Sequence, residues 1–317
     1  MPPAVPRRRP KAVRIATLGD LMLDVLIIPS RPLERGTDVP GRVSLRQGGS
    51  AANTARWLAR LNVRSSLVTA VGRDTPGRVL VDILRKEGVV VRTSRVASKP
   101  TGRIGVVVQL GGERSFVADR GAADELRPTD LKAGWFAVDL LHLPAYSLIG
   151  APLGDAARRA IELARAAGAL VSLDLASASP LLAKGRRAAH RFVEEAAPDI
   201  LFSTAAEAEA YLGTYDVAGL IDAAPLVVVK RGAGGATVLS RGGGVASALR
   251  FEIATAALPA TDTTGAGDAF DAGFLASFLS TSPEDRLRPA ALRGAALAGH
   301  RAAARQLRTG PQELSFR

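Results

Sequence analysis

The sequence predicts an α/β fold, a doubly wound and mainly parallel sheet carrying a small β lid. Three observations predict it. Strand-like and helix-like segments alternate along most of the 317 residues, two segments break that alternation, and the chain is long enough to bury a full core.

Taken in order, MPPAVPRRRPKAVR opens the chain rich in Pro and Arg, without the apolar stretch of a signal peptide, and residues 1 to 12 read as a loose tail. VRIATLG (13 to 19) is a buried-strand candidate. The apolar run around it, IATLGDLMLDVLIIP, holds Asp20 and Asp24 and is too short and too charged to span a bilayer. SAANTARWLARL (50 to 61) sets Ala52, Ala55, Leu58 and Ala59 on one helical face, and SSLVTAVG follows as a strand. In TPGRVLVDILRKEG, Thr75 is the predicted N-cap, Pro76 the first helical residue and Gly88 the stop. DAARRAIELARAAG, ending at Gly168, leads into ALVSLD, DILFS leads into TAAEAEAYLG, and APLVVVKRG is an apolar run closed by a glycine turn.

The two exceptions are RPLERGTDVPGRVSLRQ (31 to 47) and TGRIGVVVQLGGERSFVADRG (101 to 121), which lack helical period. The second reads as a hairpin turning at Gly111 and Gly112. They are either edge strands of the main sheet or a lid over the carboxyl ends of its strands, where open α/β sheets bind ligands.

Composition removes several classes. Hydrophobic residues at 47% and charged residues at 23% describe an ordered globular chain. With no cysteine, disulfides, thiolate nucleophiles and zinc–thiolate clusters are excluded. His142, His190 and His300 are far apart in sequence and read as structural. The net charge of +12 is spread along the chain with 4% aromatics, so it reads as a solvated basic surface that attracts anionic substrates, not as a nucleic-acid platform. A cytoplasmic location follows.

Chemistry concentrates in TDTTGAGDAF (261 to 270). A Gly-Ala-Gly turn opens a helix whose Phe270, Phe274 and Phe278 recur at four-residue spacing, so Asp268 falls in its first turn. Unpaired N–H groups of Gly265, Ala266 and Gly267 can hold a transferring phosphoryl group. Asp268 can take the proton of an alcohol lying between it and that group. The alternative is an acidic helix cap after a glycine turn. No G-x-x-x-x-G-K-[ST] loop or G-x-G-x-x-G spacing occurs, which disfavours a nicotinamide-dependent oxidoreductase.

DTTGAGDAFDAGFL (262 to 275) and GGSAANTA (48 to 55) resemble, in order and separation, the two motifs of the ribokinase-like, phosphofructokinase-B-type carbohydrate kinases. The resemblance covers 13 to about 312, with 313 to 317 as a tail, and implies a magnesium-requiring, ATP-dependent kinase of a sugar or nucleoside hydroxyl. It makes Asp268 the base and Gly265, Ala266 and Gly267 the anion hole. Asp24, Gly48, Gly49 and Asn53 become the acceptor wall, although alone Asp24 reads as a turn acid and Asn53 as a helix-start residue. The family's Asn-x-x-Glu appears as Thr204 and Glu207, so Glu207 would organise magnesium through water while Thr204 replaces the amide. Lys230, Gly232 and Gly235 fall beside the nucleotide, and the Ala-rich helix AALRGAALAGHRAAARQL either lines the adenine pocket or simply packs. Arg103 or Arg120 is a candidate contact for an acceptor phosphate. Whether a monovalent cation sits near Thr261 to Thr264, and whether the lid pairs with a second chain as a homodimer, are left open. A catalytically degenerate regulator with the same fold is the second reading.

Overall fold

The computed structural model describes residues 12–109, 114–241, 249–256, 258, 262–310 and 312–314. In chain order the first strands and helices are β1 (Arg14–Leu18), β2 (Met22–Pro29), β3 (Gly41–Gly48), α1 (Ser50–Arg60), β4 (Arg64–Gly72), α2 (Thr75–Lys86), β5 (Val90–Val96), β6 (Arg103–Val108) and β7 (Arg114–Asp119). They are followed by β8 (Leu140–Pro144), α3 (Leu153–Ala166), β9 (Leu170–Asp174), α4 (Ala178–Leu182), α5 (Arg186–Ala196), β10 (Ile200–Thr204), α6 (Ala205–Leu212) and β11 (Leu226–Lys230). The last are β12 (Ala236–Ser240), β13 (Leu249–Ile253), α7 (Ala266–Ser280) and α8 (Pro289–Thr309).

Nine strands form the main sheet in the order β13-β12-β11-β10-β9-β8-β1-β4-β5. Neighbours from β11 to β5 run parallel, and β12 and β13 are added antiparallel at one edge. Successive side chains of a strand face opposite ways, and here both ways are covered. Leu226 and Val228 join Ile15, Phe202 and the Phe-striped α7 on one side. Val227 and Val229 join Leu141, Leu173 and the alanines of α3 on the other. Continuous apolar runs such as LVVVK are therefore buried throughout. From β1 the order grows one way to β4 and the other way to β8, so the crevice between the ends of β1 and β8 is a topological switch point.

The lid is a separate four-stranded sheet, β3-β2-β6-β7. This rules out the edge-strand reading and changes the lid's extent: Met22–Pro29 is a central lid strand, pairing with β3 antiparallel and β6 parallel. The predicted hairpin forms between β6 and β7, with Val108 opposite Arg114, although Gly111 and Gly112 lie outside the described residues. Residues 313 and 314, read from sequence as the start of a tail, are pinned to the lid by a bridge between Arg46 and Glu313 and by Leu314 N–H on the Leu45 carbonyl at 2.7 Å.

One cap prediction is corrected. Asp74, not Thr75, caps α2: its backbone is extended and its Oδ1 accepts from Gly77 N–H at 2.9 Å, leaving Thr75 inside the first turn. Asp74 Oδ2 also accepts from Thr101 N–H at 2.8 Å, tying α2 to the segment that enters the lid.

Candidate active site

Gly265 precedes α7 with a φ of 74°, a left-handed turn that glycine adopts without strain. Phe270, Phe274 and Phe278 stack along the buried side of α7 at 6.5 and 6.0 Å between ring centres, fixing the direction of its N-terminus. Ala266 N–H folds back onto the Thr263 carbonyl at 3.2 Å. Of the three residues assigned to the anion hole, Gly265 and Gly267 thus retain N–H groups that donate to nothing among the described residues, while the Ala266 donor is engaged in the turn.

Asp268 stands in the first turn, half-buried. Its Oδ1 accepts from Ser50 Oγ at 2.6 Å and its Oδ2 from Asn53 Nδ2 at 2.9 Å. Burial pushes its carboxyl up to about 6, with the Asp174 charge adding, against the opposing bonds from Ser50 and Asn53. Asn53 in turn accepts from Gln47 Nε2 at 3.0 Å, so the residue assigned to the acceptor holds the carboxylate of Asp268.

Asp24 lies across the same cleft on β2. A Cβ on Gly48 would overlap its carboxylate, so glycine is required there. Burial first, then the charge of Asp20, pushes Asp24 up to about 7 against the pull of Arg46, and its Oδ1 is buried without a partner. Gly49, at a φ of 97°, lets α1 begin against the Asp20 carbonyl. Asp20 itself receives the Tyr146 hydroxyl at 3.1 Å and lies 3.7 Å from Arg120, closing the switch-point end of the cleft. Arg103, by contrast, pairs with Asp119 at 3.0 Å among exposed lid side chains.

The other face of the turn holds a different chemistry. Lys230, at the end of β11, is 2.7 Å from Asp174 and 3.0 Å from Asp271, all three buried. Burial opposes its charge, but Asp174, Asp271 and Glu207 outweigh it and hold the amine protonated. Burial opposes charge on Asp174 as well, but Lys230 outweighs it and brings that carboxyl down to about 2. Burial first, then the Asp174 charge, pushes the Asp271 carboxyl well above the usual range. A Cβ on Gly267 would lie 3.5 Å from Lys230 Nζ, which places the ammonium directly beneath the turn.

Thr204 and Glu207 form a reciprocal cap on α6: Thr204 N–H donates to Glu207 Oε2 at 2.8 Å and Glu207 N–H to Thr204 Oγ1 at 3.2 Å. Gly232 and Gly235 have φ of 55° and 88°, and a Cβ on Gly235 would strike the Ile253 carbonyl. Thr204, Lys230, Gly232, Gly235 and Gly267 line one cavity of about 450 Å³ open to solvent, completed by Ala303, Ala304 and His300. Asp24, Arg46, Asn53, Gly265 and Gln306 line a second, much tighter pocket. The two cavities share the Gly265–Gly267 turn as their common wall.

Helix α8 packs on α7, and its His300, Ala303 and Ala304 also line the larger cavity. Ser50, Arg46, Arg114 and Gln306 escaped the sequence reading. Ser50 was within reach, standing three residues before Asn53 on the same helix; the other three come from lid and C-terminal positions that no local pattern marks. His142 is buried on Ser172 and pushed down to about 4 by burial, and His190 is held by the Tyr211 carbonyl, so both are structural.

Residues 13–312 match the pfkB family carbohydrate kinases. The chain belongs to that family. It is an ATP-dependent kinase acting on an alcohol group of a carbohydrate. An ATP-dependent ribose-1-phosphate kinase of Halopiger xanaduensis is 30% identical over 96% of this chain and 98% of its own length. Among solved structures, adenosine kinase from Sinorhizobium meliloti superposes with a TM-score of 0.78 at 25% identity, covering 94% of each chain. Fructokinase with bound ATP from Xylella fastidiosa superposes at 0.77 with 26% identity, covering 92% of each. Among the described residues no helix is long and apolar enough to cross a membrane.

Proposed function

We propose that residues 13 to 312 act as one kinase domain that phosphorylates the hydroxymethyl group of a furanose, free or carried on a nucleoside or sugar phosphate. The observation that carries this reading is the shared wall: Gly265 lines the pocket of Asp24 and Asn53, Gly267 lines the pocket of Lys230 and Gly232, and Asp268 is held by Asn53 one residue beyond that turn. A hydroxyl in the smaller cavity loses its proton to Asp268 as its oxygen attacks the terminal phosphorus of ATP in the larger one. The turn's N–H groups, with Lys230 beneath, receive the charge that develops on the moving group. Asp24 accepts from neighbouring ring hydroxyls. A furanose is the part common to ribose 1-phosphate, adenosine and fructose, the molecules in the names of the similar proteins.

Magnesium suits these residues as a nucleotide-borne ion. No group of three or more His, Asp and Glu among the described residues could cage a metal, and magnesium usually keeps its waters and phosphates. Burial and the Asp174 charge push Glu207 up, so negative charge is crowded where a divalent ion would relieve it. Glu207 would hold a magnesium water, and the ion would supply charge neutralisation at the phosphates. We place the reaction in the cytoplasm, where ATP is abundant. Val43 and Phe116, exposed on the lid, fit a second copy of this chain, which sedimentation of a Phe116→Glu variant as a monomer would support.

The deciding experiment is ADP release across ribose, ribose 1-phosphate, fructose and adenosine. Turnover on at least one, abolished by Asp268→Asn, supports the reading. Turnover on none, with tight salt-sensitive DNA binding, supports the regulator instead.

A further inference from the structure

The turn that enters the anion hole begins at Asp262, a position where an alkali-metal ion is the natural expectation: a carboxylate beside a run of backbone carbonyls. The Asp262 carboxylate, the Thr264 hydroxyl and the Thr263 and Thr264 carbonyls are instead taken by N–H donors. Asp262 Oδ2 is 2.6 Å from Arg46 Nη1, and Oδ1 is 3.0 Å from Arg114 Nη2 and accepts from Thr264 N–H at 2.9 Å. Thr264 Oγ1 accepts from Arg114 Nη1 at 2.8 Å, and its carbonyl from Gln306 Nε2 at 3.0 Å. Gln306 is oriented by Trp57 Nε1 at 3.1 Å, and the Thr263 carbonyl takes the Ala266 N–H. Burial opposes charge on Asp262, yet these donors hold its carboxyl below the usual range, so it is an anion already neutralised. A metal ion needs oxygens whose lone pairs face it, and it is repelled by two guanidinium groups within contact of its only carboxylate.

Resting on the kinase reading, we propose that Arg46 and Arg114 act as a built-in cation at the Asp262 turn, positioning the anion hole without a bound alkali-metal ion. The two arginines come from β3 and β7, the opposite edge strands of the lid, so both edges of the lid grip the loop that aims Gly265 and Gly267. Neither arginine touches the reacting atoms in this role. They set the geometry of a turn whose carbonyls and carboxylate would otherwise need an external charge, and they make that geometry depend on the lid being in place.

The test compares turnover with tetramethylammonium as the sole monovalent cation against potassium at equal ionic strength. The expected wild-type difference is within about twofold. In Arg46→Met/Arg114→Met, turnover in tetramethylammonium falls about a hundredfold and rises at least about tenfold on adding potassium or methylguanidinium. Thallium-205 NMR reads the same point without turnover: a thallous ion is not bound by the ATP-analogue complex of the wild type and is bound, and displaced by potassium, in the variant. Arg114→Gln alone is the substitute if the double variant does not fold, since it removes one of the two charges at the turn, and a thallous ion held by it near the turn counts the same way. Potassium activation of the wild type by tenfold or more, wild-type thallous binding, or a folded variant rescued by neither cation overturns the proposal. A wild type that turns over no acceptor in any salt counts against the kinase reading alone, and the thallium measurement still decides this one.

Discussion

The two sides of the Gly265–Gly267 turn are built for opposite tasks. On the acceptor side Asp268 and Asp24 are raised to about 6 and about 7, so their protons are exchangeable near neutrality. On the nucleotide side Asp174 is held at about 2 and Lys230 stays protonated, so their charges do not change in that range. The difference follows from pairing. The acceptor carboxylates are buried with neutral donors or with none, whereas Asp174 and Lys230 are buried against each other. In the proposed reaction the first side would move a proton and the second would present a fixed field to the phosphates.

The strongest way to break this contrast is Asp268→Asn, which removes the proposed proton acceptor but keeps the shape. Turnover is expected to fall by about three powers of ten, near 4 kcal/mol of barrier, with the ATP dissociation constant nearly unchanged by calorimetry. Lys230→Met should act on the opposite side. It leaves Asp174 buried without its counter-ion, at a cost of about 3 kcal/mol read from the urea midpoint, and weakens ATP binding with little change in acceptor KM. A purely local surface role for Lys230 would leave the midpoint in place. Asp24→Asn is expected to raise acceptor KM about tenfold, about 1.4 kcal/mol, with ATP KM flat.

The pH profile sharpens the same point. Asp268 works as a base only when ionised, and its raised carboxyl protonates as pH falls through about 6, so kcat should drop about tenfold per pH unit below that. A limb centred near pH 2 to 3 would shift the titrating group to the Asp174 type and undo the contrast. The smallest expected effect is Thr204→Asn. Asparagine also caps helices, so α6 should persist while the half-saturating magnesium concentration changes by about two- to threefold.

Much of this was legible in the sequence because it was local. The Phe270, Phe274 and Phe278 stripe placed Asp268 in a first turn, and APLVVVKRG marked an apolar run closed by a glycine turn. The lid's central strand was not legible, since Met22 to Pro29 reads as a continuation of the first apolar run until its partners on β3 and β6 are known. Nor was the second role of Asn53, whose contact with Asp268 spans 215 positions. Asp271 was not singled out from the sequence, and only the convergence of β9 and β11 upon it brings it against Lys230 and Asp174. Long-range electrostatics depends on which chain ends meet, and no window of residues contains that.

Helices α7 and α8 meet through Gly273 and Gly299, where an added methyl group would press on the Ala298 carbonyl in one case and on the Phe270 ring in the other. Gly273 is five residues from Asp268, about 7.5 Å along the axis, so a wedge there would swing the carboxylate off the acceptor as a lever moves about a fulcrum. In a saturation-mutagenesis selection for growth, both glycines should tolerate substitution as poorly as the residues proposed to react, although neither lines the cavities on either side of the Gly265–Gly267 turn.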